Sequence, residues 1–438
     1  DVFFNFGADE HGAKIWRKAI EEKTDPQKYC DIYAEKFSNL KQALNLSYDN
    51  FIRTTDKNHI KVAQEFWKRC LENGDIYKKN YKIKYCVGCE LEKTESELVG
   101  GKCPIHPNQE IETIEEENYF FKYSKYQKPL LDFYNKNKKF VIPDSRFNEI
   151  KEFTKKGLED FSVSRLKEKM PWGVDVPGDR KHVMYVWFDA LVSYISALGW
   201  PENLQKFKDF WPGLQVAGKD KLRQQSSMWQ AMLMSAKLPN SRQIFIHGFI
   251  TANGRKMSKS LGNVVNPFEL VKKYGTDVVR YYLLREFTPT EDGDFTYEKF
   301  EQRYNSDLAG GIGNLLARTL AMAKKIKNQK SKIKIINQKL KIKIKQTEKN
   351  SKKHLEDFKF NEVLKSIWEL ISFCDKYIND NKPWEGGKNA SQVISDVLFT
   401  LNAISDLLAP FLPQTSEKIK KALGEKKSTI LFPRLLTK

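Results

Sequence analysis

The chain has 438 residues, of which 40% are hydrophobic and 13% aromatic, so it is long enough for two or three domains with cores of their own. No stretch approaches the roughly 20 consecutive apolar residues of a membrane-spanning helix, and the amino end lacks a signal-peptide pattern. We therefore expect a cytoplasmic protein with no membrane partner. The 75 lysines and arginines exceed the 56 aspartates and glutamates and give a net charge of +19, which fits a polyanionic partner and equally a merely lysine-rich composition.

The first half of the chain alternates predicted strands with predicted helices. A strand over 2–6 runs into a turn at Gly7, and helices follow over 26–44 and over 57–73, the second of them stopped at Gly74. Further apolar runs such as "IFIHGFIT" are again separated by helical segments. This alternation predicts an α/β fold whose parallel sheet is covered on both faces.

The second half of the chain changes character after about residue 296. Apolar residues recur at helical spacing over 360–378 and 393–408, which predicts a separate helical bundle. A lysine-rich, low-complexity insert at about 324–353 contains "IKIINQKLKIKIK", which alternates like a strand. We expect a solvated basic linker with room for a hairpin, and the alternative is an arm that contacts RNA.

Two cysteine-containing knuckles, "CVGC" and "CPIH", are separated by thirteen residues. Their ligands Cys86, Cys89, Cys103 and His106 can place three thiolates and one imidazole around Zn²⁺. Four protein ligands leave no position for water, so this metal would be structural; the alternative is four unrelated surface residues. The other three cysteines are expected to be core thiols: Cys30, Cys70 and Cys374.

The loop "GRKMSKSLGN" at 254–263 follows a buried strand and carries two lysines and two serines between glycines. A lysine ammonium on a flexible loop can follow a phosphate chain and neutralise the charge that develops on pyrophosphate as it leaves. On physical grounds alone a solvated surface loop is the favoured interpretation.

This loop resembles the signature loop of class I aminoacyl-tRNA synthetases. Nine blocks along the chain narrow the resemblance further: "GADEHG", "YCVGC…GKCPIHP", "RFNEI…GLEDFSVSR", "YVWFDALVSYISALG", "GKDKLR", "KMSKSLGN", "YGTDVVRYYLLRE", "YNSDLAGGIGNLLARTL" and "PWE". They follow the order of the methionyl-tRNA synthetase family, which nearly the whole chain resembles, and chance does not produce such an arrangement.

The resemblance implies a Rossmann-like catalytic domain with an inserted zinc-knuckle connective peptide, followed by an all-α anticodon-binding bundle. The implied domains are 1–79 for the amino-terminal part of the catalytic domain without its first strand and helix, 80–125 for the zinc-knuckle insertion, 126–250 for the rest of the catalytic domain, 251–295 for the KMSKS loop and stem-contact region, and 296–438 for the anticodon-binding domain.

The activity that the resemblance implies is ATP-dependent formation of methionyl-adenylate and transfer of the methionyl group to tRNA(Met), with Mg²⁺ accompanying the ATP. Two other classes stay open. One is a class I synthetase for leucine, isoleucine, valine or cysteine, and the other is a non-catalytic tRNA-binding module. We expect a monomer.

The resemblance also implies a role for individual residues. Asp9 would hold the α-ammonium group of the substrate. The expected wall around the thioether is Trp187, Ala190 and Tyr194, with Gln225 beside it. Arg165 and Asp220 are the expected charged groups lining the same site, and a plain structural ion pair is the open alternative for them. The expected ATP-binding residues are His247, Gly248, Lys256, Met257 and Lys259, of which Lys256 and Lys259 would be catalytic together with Ser258.

In the helical region, Asn314 and Arg318 lie four residues apart on one helix face, and Trp384 follows a proline at a helix end. They resemble the family's anticodon-reading residues, in which a tryptophan stacks on a base and polar groups bond its edges. The alternative for Trp384 is a buried packing ring.

Two features depart from the family's pattern. Gln224 and Gln225 stand where the family usually has phenylalanine and histidine, and glutamine can neither stack nor carry charge as an imidazole can. No His-x-Gly-His motif occurs, although ATP phosphates would need it, and the chain opens at Asp1 rather than at methionine. We therefore expect a preceding segment and expect the chain alone to be inactive.

Overall fold

The computed structural model forms two compact units, which are described separately. The first contains residues 1–42 and 46–246, and the second contains 43–45 and the chain from 247 onward. The described residues are 1–93, 95–257, 262–325, 337–425 and 429–436.

The first unit is an α/β structure with two parallel strand pairs. Its strands are β1 (Asn5–Ala8), β2 (Asn50–Arg53), β3 (Ile76–Cys86), β4 (Leu91–Lys93), β5 (Glu112–Phe121), β6 (Val141–Ile142), β7 (Phe161–Ser162), β8 (Ser164–Leu166), β9 (Asp175–Val176), β10 (Asp179–Met184), β11 (Leu214–Gly218) and β12 (Gln243–His247). Strand β1 pairs with β2 and β6 with β12, both in parallel. Sheets β4-β3-β5-β7 and β8-β10-β9 are antiparallel.

The helices of the first unit begin and end where the chain supplies a local reason. They are α1 (Ala13–Glu21), α2 (Pro26–Ala43), α3 (Lys57–Glu72), α4 (Gln127–Lys136), α5 (Asp144–Lys155), α6 (Val186–Ala190), α7 (Ser193–Ser196), α8 (Leu204–Phe210) and α9 (Trp229–Ser235). Helix α2 starts with proline in its first turn, and the preceding Asp25 carboxylate accepts the Lys28 N–H at 3.1 Å. Gly74, with φ of 72°, follows the end of α3 as predicted.

The first predicted strand is displaced in the structure. Strand β1 covers Asn5–Ala8 rather than 2–6, because its register is set by β2, with Asn5 opposite Asn50 and Ala8 opposite Arg53. The ends of β1 are therefore set by its pairing with β2, and the sequence of β1 alone does not contain that information.

The second unit is mainly helical. It contains the parallel pair β13 (Ile250–Ala252) and β14 (Gly293–Phe295), with helices α10 (Pro267–Tyr274), α11 (Thr276–Arg285), α12 (Tyr297–Arg303), α13 (Asn314–Lys325), α14 (Gln338–Glu356), α15 (Phe360–Asn381), α16 (Ala390–Leu408) and α17 (Pro413–Glu425). Helices α13 to α17 share one apolar core.

The lysine-rich insert departs from its prediction. Residues 326–336 lie outside the described part, but from Gln338 onward the chain is helix α14, so the hairpin is wrong there. Leu340, Ile344, Thr347 and Ser351 are buried at helical spacing. The helix prevails because this spacing gives α14 one face that packs on the bundle, so this part of the insert is also not a solvated linker.

Among the helices that the structure describes, none combines the length and the apolar character of a bilayer-spanning segment.

Substitutions in α14 separate the helix from the hairpin. Leu340 is fully buried and Ile342 is 63% exposed, whereas residues two apart in a strand would share a face. We expect Leu340→Ala to lower the free energy of unfolding by about 2–5 kcal/mol and Ile342→Ala to change it by at most about 0.5 kcal/mol, measured by urea denaturation. Equal losses for the two variants would contradict the helical register.

Candidate active site

The loop between β1 and α1 carries the first candidate site residue. Gly12 has a φ of 104°, and a Cβ there would lie 2.4 Å from the Glu90 carboxylate, so glycine is required. The Glu10 side chain points into the protein, where Arg53 Nε donates to its carboxylate at 2.7 Å. The loop is therefore fixed on both sides while Asp9 stays accessible to solvent.

The residues predicted to form the aromatic wall lie on two short helices and a π-helical turn. Trp187 and Ala190 are buried in α6, and Tyr194 lies in α7. Gln225, in the π-helical turn Gln224–Met228, donates from Nε2 to the Tyr194 hydroxyl at 2.7 Å. The structure thus brings Tyr194 and Gln225 into direct contact.

Asp9 has an unusual electrostatic setting. Although water reaches it, protein atoms surround it densely, and this desolvation together with the negative charge of Asp189 raises its pKa to about 6. Burial first, and the charge of Asp9 second, raise the pKa of the Tyr194 phenol well above its usual range, so Tyr194 is neutral. The groups that oppose this rise in the pKa of Asp9 are His59, Lys221 and His11.

A buried His-Asp-His array was not predicted from the sequence. Asp189 Oδ2 lies 2.5 Å from His11 Nδ1, and Asp189 Oδ1 lies 2.7 Å from His59 Nε2. His59 Nδ1 lies 2.9 Å from Ser196 Oγ. Asp189 lies 178 residues after His11 and 130 residues after His59. The only sequence signal was that His11 and Asp189 lie in two of the quoted motifs, and His59 lies in none of them.

The two predicted charged residues occupy different surroundings. The Arg165 guanidinium lies between the rings of Tyr85 and Tyr185, at 5.1 and 4.9 Å from their centres, and donates to Ser162 Oγ at 2.7 Å. Arg165 lines a cavity of about 260 Å³. Tyr185, which precedes the predicted wall residue Trp187 by two positions, lines the same cavity. Asp220 forms an ion pair with the neighbouring lysine at 3.4 Å.

The four predicted zinc ligands converge in the structure. Cys89 Sγ lies 3.5 Å from Cys103 Sγ and 3.2 Å from His106 Nδ1, and Cys86 Sγ lies 3.8 Å from the same nitrogen. All four ligand atoms fall within 4.8 Å of one another, and the three cysteines are buried. Such separations fit a tetrahedral ion with Zn–S bonds of about 2.3 Å.

The second unit begins with the predicted adenine contact. His247 Nδ1 lies 2.8 Å from the Gly248 carbonyl oxygen. A Cβ at Gly248 would lie 2.0 Å from the Glu291 carbonyl oxygen, so the close approach of these two backbones requires glycine there.

The predicted lysine loop is partly described. Lys256 Nζ lies 5.8 Å from the Phe249 ring centre, and Met257 follows it. Asn263 Nδ2 donates to the Lys256 carbonyl oxygen at 3.3 Å and so joins the two sides of the loop. The remaining predicted loop residues, Ser258 and Lys259, lie outside the described residues.

Two of the three predicted anticodon residues, Arg318 and Trp384, are in contact in the second unit. The Arg318 guanidinium carbon lies 5.1 Å from the Trp384 ring centre, and the same group donates to Asn379 Oδ1 at 2.7 Å. Trp384 is 50% exposed, so it is not a buried packing ring, and Asn314 is exposed one turn from Arg318. Burial raises the pKa of nearby Asp375 to about 6, and the charge of Arg318 opposes this shift.

Comparison with protein families divides the chain in the same order. The family model of class I tRNA synthetases (M) matches residues 1–113 and 108–320. The model of the anticodon-binding domain of tRNA ligases matches residues 337–436.

Individual relatives agree with these matches. The methionine–tRNA ligase of Thermotoga maritima is 43% identical over 96% of this chain and 68% of its own, and that of Synechocystis is 40% identical over 97% and 82%. Among solved structures, methionyl-tRNA synthetase of Mycobacterium tuberculosis in complex with methionyl-adenylate superposes with a TM-score of 0.90 at 34% identity, covering 98% of this chain and 88% of that one. The predicted Rossmann-like catalytic fold with a helical anticodon domain is thereby confirmed, and the chain belongs to the methionyl-tRNA synthetase family of class I aminoacyl-tRNA synthetases.

Proposed function

We propose that this protein is a methionine–tRNA ligase. The methionine carboxylate attacks the α-phosphorus of ATP and releases pyrophosphate, and a ribose hydroxyl at the end of tRNA(Met) then attacks the methionyl-adenylate carbonyl and releases AMP. The observation that carries this proposal is 40–43% identity to methionine–tRNA ligases over 96% or more of the chain. That identity favours this function over a ligase for leucine, isoleucine, valine or cysteine and over a non-catalytic module.

Methionine recognition is assigned to the first unit. Asp9, when ionised, is suited to bind the α-ammonium group. The Tyr194 hydroxyl accepts its hydrogen bond from Gln225, so its own proton is available for a weak acceptor such as the thioether sulfur. Gln225 thereby supplies a donor without carrying the charge of an imidazolium.

ATP activation is assigned to groups of the second unit. Lys256 and Lys259 would neutralise the pyrophosphate leaving group, with Ser258 and Met257 in the same loop, and His247 and Gly248 would contact adenine. Mg²⁺, when bound with ATP, would offset phosphate charge. Because the chain contains no His-x-Gly-His motif, binding is a more informative measurement on it than turnover.

Anticodon reading is assigned to Asn314, Arg318 and Trp384. The exposed Trp384 ring offers a stacking surface, and the Arg318 and Asn314 side chains offer hydrogen bonds to base edges.

Methionine affinity should depend on pH through Asp9. The carboxylate binds the ammonium group only when ionised, so with a pKa of about 6 affinity is complete well above pH 6 and falls as the pH drops through 6, rather than through about 4 as for an ordinary aspartate. Calorimetry between pH 5 and 8 measures this. Asp9→Asn should weaken binding by about 2 kcal/mol at pH 7.5 and remove the dependence, whereas the exposed Asp132→Asn should change neither. A pH-independent wild-type affinity would contradict the role of Asp9.

Zinc should be bound by the Cys86, Cys89, Cys103 and His106 cluster. We expect about one zinc ion per chain by elemental analysis and its loss in Cys103→Ser, because three ligands hold the ion less well than four. Cys70→Ser, which alters an equally buried thiol of the same unit, should retain the metal. A wild-type chain without zinc, or equal loss in both variants, would refute the assignment.

Trp384→Ala should weaken tRNA(Met) binding by about 1–3 kcal/mol through loss of base stacking. Tyr297→Ala is the matched control, because that ring belongs to the same unit and is also 50% exposed. Filter binding of tRNA(Met) at fixed salt measures both. If the two variants bind alike, Trp384 does not read the anticodon.

A further inference from the structure

Asp189 is an ionised carboxylate in the core of the first unit. It is 1% exposed, and both of its oxygens are used, one by His11 and the other by His59. An uncompensated charge at such depth costs several kcal/mol, so these bonds fix where the two histidines must lie.

The array joins every segment of this unit that carries an assigned methionine-binding residue except the π-helical turn. His11 lies two residues after Asp9, and Asp189 lies in α6 between Trp187 and Ala190. His59 belongs to α3. Its second nitrogen bonds Ser196 of α7, the helix that carries Tyr194, and Tyr194 in turn accepts from the π-helical turn.

The contacts within the array shift the pKa values of His11 and Asp189 in opposite directions. Burial lowers the pKa of His11, but the charge and hydrogen bond of Asp189 outweigh it, so the pKa of His11 lies above its usual value. The charges of His11 and His59 and their hydrogen bonds outweigh desolvation at Asp189, whose pKa is lowered to about 2. The His11 imidazole and the Asp189 carboxylate both act electrostatically on Asp9. The other charged groups that act on Asp9 or border its loop are Lys221, Glu10 and Glu90.

We propose that Asp189 is a positioning residue for methionine binding: by holding His11 on one oxygen and His59 on the other, it sets the carboxylate of Asp9 at a fixed distance from the wall formed by α6 and α7. This rests on the proposed function. The group does not touch substrate. It acts through the loop that carries Asp9, and fixed geometry of this kind lowers the entropy lost on binding.

The test compares Asp189→Asn with Asp75→Asn. Asp75 is a matched control, because it is also 1% exposed in the same unit, and it accepts from Lys125 Nζ at 2.6 Å, Tyr126 Oη at 2.6 Å and Ser235 Oγ at 2.9 Å, none of them an assigned methionine-binding residue. Three quantities are measured on the full chain: the methionine Kd by calorimetry, the urea unfolding midpoint, and the His11 pKa by NMR of its imidazole resonances.

We expect both variants to lose stability, but only Asp189→Asn to raise the methionine Kd, by about tenfold or more, because one charged hydrogen bond to the Asp9 loop is lost. The His11 pKa should fall below 6.5 in Asp189→Asn and stay above it in the wild type and in Asp75→Asn. If Asp189→Asn does not fold, His59→Gln breaks the array from its other side and should raise the Kd in the same direction.

Two results overturn the proposal and differ in meaning. The positioning role is contradicted if the wild-type chain binds methionine and Asp189→Asn binds it equally well. It is also contradicted if Asp75→Asn weakens methionine binding as much as Asp189→Asn does. Either result leaves the proposed function intact. A wild-type chain that binds no methionine contradicts the proposed function itself.

Discussion

A buried carboxylate is stable only when hydrogen-bonding partners compensate its charge, and Asp189 is such a carboxylate in the first unit. Both of its oxygens hold histidines that arrive from segments remote in the sequence, and one histidine passes the connection on to Ser196. The β1–α1 loop and helices α3, α6 and α7 must therefore meet at one point. The assigned methionine-binding residues of those segments lie next to that point. The contacts that compensate the charge of Asp189 therefore also position the candidate binding site.

The sequence predicted most where a residue type and a short spacing carry the information together. Two Cys-x-x-ligand knuckles predicted a ligand set that the structure brings within 4.8 Å. Gly74 predicted a helix end because glycine adopts left-handed backbone conformations without strain. The α/β alternation, followed by helices only, predicted two kinds of unit in the right order.

Interactions between distant segments could not be predicted in this way. Nothing near His11 or His59 in the sequence indicates that both meet Asp189. The alternation around Leu340 and Ile342 indicated a strand, because lysines fill the intervening positions. In the structure the buried residues of this segment recur at helical spacing, because one face of α14 packs on the bundle. The two glutamines at 224 and 225 were visible as a departure from the family, whereas the bond from Gln225 to Tyr194 required the fold.

The central claim is that this chain selects methionine, with Gln224 and Gln225 in place of the family's usual residues. The most direct test is a calorimetric comparison of methionine, leucine, isoleucine, valine and cysteine on the wild-type chain at pH 7.5. The account predicts that methionine binds at least tenfold more tightly than each of the others, because a pocket with a polarisable wall and the Tyr194 hydroxyl favours the thioether over an aliphatic group. Equal affinity for leucine or isoleucine, or tighter binding of any of the four, would contradict it.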